Sequence, residues 1–275
     1  MILLFGGTSD SIKIMETLLE GGCEVTLSVA TNYGKIYSKK FKDRVIQSRM
    51  DQAEMETYLK DHAIDLVVDA THPFADLVSK NAIAAAQAVG IPYLRFERPL
   101  SKADPRIQQV TSLAQACQRA ESLWQEKGHG VEDHIYLATG SKTVGDFTQV
   151  LGPERLVVRV LPVASVVKHC EAAGLSAGQI HAIKPPYSKA LNIELYKKVN
   201  AQIMITKESG QAGGMDEKVS AALDRGMDVI EITRPYVAYP EMTHDIDEVL
   251  SLSRQLLKEG QSSADDGHSK ENLDD

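Results

Sequence analysis

Short apolar runs that end at glycine or a polar turn, each followed by an amphipathic stretch long enough for a helix, recur along almost the whole chain. Apolar runs at residues 2–5, 25–29, 45–47, 66–69 and 93–96 alternate with helical patterns at 9–19, 52–61 and 76–89. Such alternation predicts βαβ units, because parallel strands must be joined by a crossover that covers one face of their sheet. Gly21-Gly22 and Gly90 fall where helices end in a left-handed residue, and Pro92 bars further helix. The polar stretch 98–105 breaks the rhythm. A second array then follows, with strands expected at 107–110, 135–138, 156–160, 180–183, 203–206 and 229–232 and helices at 113–126, 143–150, 164–171, 189–200 and 216–225. An amphipathic helix over 246–257 closes the pattern. The fold expected is α/β: two Rossmann-like domains with parallel sheets facing across a cleft, residues 1–98 and 99–258, followed by a disordered acidic tail at 259–275.

Composition narrows the function classes. The net charge is -8, but residues 259–275 hold six acids against Lys270, which leaves the rest of the chain near -3. That balance is wrong for a nucleic-acid backbone, and aromatics at 5% with one Trp give no platform for stacked bases. Cys23, Cys117 and Cys170 are widely spaced, with no Cys-x-x-Cys. This argues against a disulfide framework or a structural metal site and fits a cytoplasmic protein. Met1–Phe5 is apolar but stops at Gly6-Gly7 without a basic segment before it, so neither a signal peptide nor a membrane span is expected.

In open α/β sheets ligands bind beyond the carboxyl ends of the strands, so the residues after each strand carry the functional signal. After the first strand stands Gly6-Gly7-Thr8-Ser9-Asp10-Ser11, with Ser11 where a dinucleotide fingerprint has its third glycine. Gly6, Gly7, Thr8 and Ser9 can still admit and hydrogen-bond a pyrophosphate; the plainer alternative is a tight, capped strand-to-helix turn. The ribose-reading segment Ser28-Val29-Ala30-Thr31 has no carboxylate to reject a 2′-phosphate, and Lys35 follows, so Ser28 and Thr31 are expected beside NADPH or NADH. The fourth strand ends in Asp69-Ala70-Thr71-His72-Pro73-Phe74-Ala75. His72 is either a satisfied loop histidine or a group held toward a ligand, with Asp69 available to fix its tautomer or to accept backbone hydrogen bonds.

In the second array Thr139-Gly140-Ser141-Lys142 repeats the logic of the first loop with a lysine added. Arg159 lies at a strand end, Lys184-Pro185-Pro186-Tyr187-Ser188 follows another, and Lys207-Glu208-Ser209-Gly210-Gln211-Ala212-Gly213-Gly214 a third, with Lys218 a turn later. Singly these cations read as solvated loop charges. Together, at successive strand ends, they suit a ligand with several carboxylates or phosphates.

The stretches ILLFGGTSDS, VVDATHPFA with Asn81 beyond it, IPYLRFERP, LATGSKT, IKPPYS, ITKESGQAGGMDEKVSAA and VIEITRP resemble the precorrin-6A and cobalt-precorrin-6A reductases of corrin-ring biosynthesis, in order and over residues 1 to about 235. The resemblance implies NADPH- or NADH-dependent reduction of one double bond of a tetrapyrrole macrocycle bearing several carboxylates, giving precorrin-6B. It also implies a substrate-side role for Thr71, His72 and Phe74, with His72 the candidate catalytic group, and for Thr139, Gly140, Ser141, Lys142, Arg159, Lys184, Tyr187, Ser188, Lys207, Ser209, Gly210, Gly213 and Gly214. An Asn is frequent in the family where Glu208 stands, and a carboxylate suits an anionic substrate poorly, so Glu208 is left out. Two-Rossmann architecture also fits a nucleotide-sugar glycosyltransferase, or a non-enzymatic tetrapyrrole- or nucleotide-binding module. Neither alternative would oxidise a nicotinamide in the presence of precorrin-6A.

Overall fold

The computed structural model describes residues 1–210 and 214–268. The chain forms two compact units, Met1–Pro99 joined by the chain from Pro235 onward, and Leu100–Arg234. The first runs β1 (Ile2–Phe5), α1 (Ser9–Glu20), β2 (Val25–Val29), α2 (Asn32–Tyr37), β3 (Val45–Gln47), α3 (Gln52–Asp61), β4 (Leu66–Asp69), α4 (Asp76–Val89) and β5 (Tyr93–Phe96). The second runs β6 (Ile107–Val110), α5 (Leu113–Glu126), β7 (His134–Ala138), α6 (Val144–Leu151), β8 (Leu156–Val160), α7 (Ala164–Ala172), β9 (Ile180–Ala182), α8 (Lys189–Lys198), β10 (Ala201–Lys207), α9 (Met215–Asp224) and β11 (Asp228–Ile232). Strand β12 (Met242–Thr243) and helix α10 (Ile246–His268) then complete the first unit.

Each unit holds a six-stranded sheet, ordered β3-β2-β1-β4-β5-β12 in the first and β9-β8-β7-β10-β11-β6 in the second. Every pairing is parallel. Both are doubly wound Rossmann-like orders: the winding reverses between β1 and β4, and again between β7 and β10.

The apolar runs are nearly continuous because both faces of each sheet are covered. Along β1 the side chains alternate between two cores. Ile2 and Leu4 join Ile14, Met15 and Leu18 of α1, while Leu3 and Phe5 join Met55 and Leu59 of α3 and Ala82, Ala85 and Ala86 of α4. The helices start where short polar side chains can cap them: Thr8 and Ser11 form a capping box on α1, Asp51 and Glu54 another on α3, and Ser112 caps α5.

Two expectations are corrected. The second unit does not extend to residue 258 but ends at Arg234, because the chain beyond it returns to the first sheet. Met242 and Thr243 pair with Arg95 and Phe96, and α10 lays Val249 in the first core, with Leu250, Leu256 and Leu257 packed against it. Full burial of a side chain such as Val249 contributes about 1.5–3 kcal/mol toward holding this helix where it lies, and Leu250, Leu256 and Leu257 add to it. A two-residue edge strand is too short to carry a periodic signal, so the return is invisible in the pattern. Nor is the acidic segment irregular from residue 259: α10 continues to His268, and residues 269–275 lie outside the described residues. Among the described residues no helix is long and apolar enough to cross a membrane.

Candidate functional site

The switch point of the first sheet brings the β1 and β4 loops side by side. The Thr8 hydroxyl donates to the Ala70 carbonyl at 3.0 Å. The two glycines ahead of Thr8 have different tasks. A side chain at Gly6 would meet Ser11 Oγ at 2.6 Å, so Gly6 is what lets the buried Ser11 occupy the third fingerprint position. Ser11 Oγ accepts from the Gly7 and Thr8 N–H groups at 3.1 and 3.2 Å and donates to the Thr8 carbonyl at 2.8 Å, locking the turn. Gly7 has φ +113 and nothing within 4 Å of where a Cβ would stand. That open space at an exposed loop beside a helix N-terminus is what a phosphate needs. The residues present therefore fit a dinucleotide.

The β4 loop is anchored from below by Asp69, 1% exposed. Its Oδ1 accepts from Thr71 N (2.9 Å), Thr71 Oγ1 (2.7 Å) and Arg95 Nη1 (2.8 Å), and its Oδ2 from Ser79 Oγ (2.6 Å) and Tyr93 OH (2.7 Å). Burial alone would raise the Asp69 pKa, but the Arg95 guanidinium and the hydrogen bonds from Ser79 and Thr71 outweigh it and hold the carboxyl below its ordinary value. Burial and the same carboxylate push the Tyr93 hydroxyl far above its ordinary range. Arg95 also binds Glu97 (2.8 Å) and the Thr71 carbonyl (3.1 Å), so one buried cation ties β4, β5 and the loop together.

His72 does not pair with Asp69. Its exposed ring accepts a hydrogen bond at Nδ1 from Phe74 N at 3.2 Å. In the neutral ring this puts the proton on Nε2, a donor supplied by the backbone turn rather than by a carboxylate.

In the second sheet the switch point joins the loops after β7 and β10 and so collects Lys142 and Lys207. Burial lowers the pKa of Lys207, the positive charge of Lys142 lowers it further, and Asp146 acts in the opposite sense. Thr139, 7% exposed, accepts from Thr143 Oγ1 at 3.0 Å, and Gly140, Gly210 and Gly214 give these loops left-handed turns. Glu208 is engaged by protein groups within its own unit. It accepts from Ser101 N (3.1 Å), Ser101 Oγ (3.0 Å) and Gly210 N (3.0 Å) and pairs with Arg234.

Sequence comparison now bears on this geometry. The family model described as precorrin-6x reductase CbiJ/CobK matches residues 1–254. A cobalt-precorrin-6A reductase of Priestia megaterium is 37% identical over 91% of this chain and 96% of its own. The chain belongs to the precorrin-6x reductase family. It is therefore an oxidoreductase of cobalamin biosynthesis. A precorrin-6A reductase of Rhodobacter capsulatus is 29% identical over 86% of this chain and 88% of its own. Among solved structures, a CobK precorrin-6A reductase shares the fold, with TM-score 0.74 and 24% identity over 93% of this chain and 96% of that one.

Within this reductase the expected residues divide into loop-lining and load-carrying groups. Gly7, Ser9, Thr31, His72, Gly140, Lys142, Lys184 and Ser188 are exposed at strand ends, and Phe74, Ser141 and Lys207 are half-buried there. Ser28 is 3% exposed, which leaves Thr31, the cap of α2, as the outer of that pair. Thr71 is engaged on both sides by Asp69 and Arg95 and shapes the loop from beneath. Arg159 is likewise turned inward: it donates to Asn192 Oδ1 at 2.5 Å and lies 4.4 Å from the centroid of Tyr187, whose hydroxyl donates to the Ile183 carbonyl at 2.7 Å. Lys184 follows the edge strand β9, with β8 between it and β7, so Lys142 and Lys207 form the pair and Lys184 stands apart. Ser209 and Gly210 are buried in the β10 loop, Gly214 begins α9, and Gly213 lies outside the described residues.

Sequence reasoning missed three groups. Arg95 sits in an otherwise apolar strand, and a lone charge in such a run is itself the signal of a buried partner. Asp10 and Arg98 form a buried ion pair between the first turn of α1 and the end of the first unit's opening segment. Arg49 donates from Nε to the Ala30 carbonyl at 3.2 Å, and no spacing rule marks it.

Proposed function

We propose that this reductase reduces one double bond of cobalt-precorrin-6A to the precorrin-6B level, with NADPH as the preferred reductant. The observation that carries the reading is the contrast between the two switch points. The first offers an open glycine turn and no carboxylate at the end of β2; the second offers two lysines close enough for one to depress the pKa of the other. A nucleotide suits the former and a macrocycle with several carboxylate arms the latter. Relatives named cobalt-precorrin-6A reductase are 37% and 35% identical, against 29% for one named precorrin-6A reductase, which supports the cobalt-bearing substrate. The three cysteines are unpaired, in keeping with the reducing cytoplasm to which we assign the reaction.

A reduced nicotinamide, when bound, supplies a hydride; the chain's part is to place substrate and reductant and to furnish a proton. Gly6 and Ser11 fix the first turn, and Gly7, Thr8 and Ser9 hold the diphosphate. His72 donates from Nε2 to a carboxylate arm, and Lys142 pairs with another. Lys207 gives up its proton more readily than an ordinary lysine, and we assign it as the proton source for the position that takes up the electron pair.

The test is protein-dependent loss of nicotinamide absorbance in the presence of cobalt-precorrin-6A or precorrin-6A. Turnover with neither macrocycle, under conditions where both reagents are intact, overturns the reading.

A further inference from the structure

We propose that Glu208 is a positioning residue for the reduction, fastening the loop of Lys207 to both points where the chain passes between the two units. This rests on the assignment of Lys207 as the proton source. The chain makes that passage twice, between Pro99 and Leu100 and between Arg234 and Pro235. Ser101 lies just after the first passage and Arg234 just before the second, and both are bonded to one carboxylate. Glu208 Oε1 accepts from Ser101 N at 3.1 Å and from Ser101 Oγ at 3.0 Å, and Oε2 accepts from Arg234 Nε. The same Oε1 accepts from Gly210 N at 3.0 Å, while Glu208 N donates to the Ile232 carbonyl at 2.9 Å.

Glu208 is 4% exposed, and a buried carboxylate is a costly way to build a plain turn unless a cation and hydrogen bonds compensate it. Here its donors come from the β10 loop itself and from the two passages. The far ends of the passages are fixed in the first unit. Arg98 pairs with Asp10 of α1, and Tyr239 stacks on Tyr93 with the Arg95 guanidinium 5.2 Å from its ring centroid. Between these anchors the chain is exposed at Pro99, Leu100, Tyr236 and Ala238. Short exposed stretches between fixed ends are where a chain absorbs a change of backbone angle. One carboxylate gives the β10 loop and both stretches a common fixed point, so the loop that carries Lys207 cannot shift without them. Misplacing a reacting group by about 1 Å can cost about 10²-fold in rate.

Glu208→Gln keeps an acceptor for Ser101 and Gly210 but removes the charge that Arg234 meets, and Arg234→Gln removes the other half of the pair. Melting temperature checks each fold, NADPH is titrated by nicotinamide fluorescence, and turnover is followed with whichever of cobalt-precorrin-6A and precorrin-6A the full-length wild type reduces. Each single change should lower kcat by about ten- to a hundredfold, with the macrocycle KM and the NADPH affinity shifted less than about threefold. The double variant should be worse than either single one by no more than about twofold, the signature of two groups acting as one. Amide exchange gives a second readout: Glu208→Ala should speed exchange at Ser101 and Gly210 together, although they are far apart in sequence. Normal kcat in Glu208→Gln makes the carboxylate a structural brace. Multiplying losses in the double variant make the pair two unrelated groups, and unchanged exchange at Ser101 removes the fastening; each of these overturns the proposal. If Lys207→Met also turns over normally, the assignment of Lys207 has failed with it; if Glu208→Gln alone does, only the positioning proposal falls.

Discussion

Arg95 and Asp69 stand on neighbouring strands with Nη1 2.8 Å from Oδ1, both side chains 1% exposed. The pair lies directly beneath the loop that carries His72, and Thr71 completes it by bonding to both partners. The loop is therefore held by charge from inside the sheet as well as by its own turn, in which Phe74 N donates to His72 Nδ1 and Ala75 N to the His72 carbonyl. Removing one partner leaves the other buried and uncompensated, which is costlier than never having built the pair. Asp69→Asn should lower the unfolding free energy by about 3–5 kcal/mol in urea titration, whereas Lys80→Ala, which breaks an exposed pair with Asp76, should cost about 0.5 kcal/mol or less. Because the folded Asp69 pKa is depressed, its stabilisation is present above the ordinary carboxylate range and disappears as pH falls through the folded value. Asp69→Asn should thus flatten the acid limb of the stability profile.

For the glycine turn, Gly7→Ala is the informative change. The methyl group meets no protein atom, so any stability loss reflects the positive φ alone, about 1 kcal/mol. Cofactor affinity should fall far more, because the same methyl group enters the space assigned to phosphate. Gly6→Ala, by contrast, collides with Ser11 and should unfold the turn, visible as an early melting transition. NAD(P)H binding unchanged in Gly7→Ala removes this loop from the cofactor site.

The charge of Lys142 bears on the protonation of Lys207. Burial and Lys142 disfavour the charged form of Lys207, so its charge is lost at lower pH than that of an exposed lysine. Affinity for a polycarboxylate macrocycle should then decline as pH rises through that lowered value, before exposed lysines titrate. Lys142→Ala removes the like charge and should move the decline to higher pH; Lys207→Met should abolish it. Each neutralisation should also weaken binding by about 1 kcal/mol or more, with a matching loss of salt dependence. Lys184→Ala, at the sheet edge, should do much less.

His72 is assigned a positioning role. His72→Ala should reduce macrocycle affinity by about 1.5–3 kcal/mol while NAD(P)H titrates normally. His72→Asn, which keeps a donor, should recover most of that affinity. A turnover loss of about 10²–10⁴-fold that Asn does not rescue would instead identify His72 as the proton source. Normal turnover with an early melt would make it a structural loop residue.

Much of the fold was legible because parallel strands buried on both faces read as apolar runs, and β1, β2, β3, β4 and β5 fall where those runs lie. Met242–Thr243 and the helix Asn32–Tyr37 were not, being too short for a period to show. For the candidate site, position after a strand marked both glycine loops and the lysines, and they do lie at strand ends. It did not separate side chains that face outward from those that brace the loop: Arg159 and Lys142 look alike in sequence, yet one stacks on Tyr187 and the other is exposed. Arg49 and Ala30 meet only because β2 and β3 pair, a contact created by the sheet and absent from any local spacing.

The return of Met242–Thr243 to the edge of the first sheet has a consequence for the order in which the protein can be made. Translation delivers β1 to β5 before Leu100–Arg234, but the strand that finishes their sheet and the helix that covers its core follow Arg234. Leu100–Arg234 is contiguous and has all its strands as soon as Arg234 has emerged. Of the two units, the one whose strands come earlier in the sequence is the later to have all its elements.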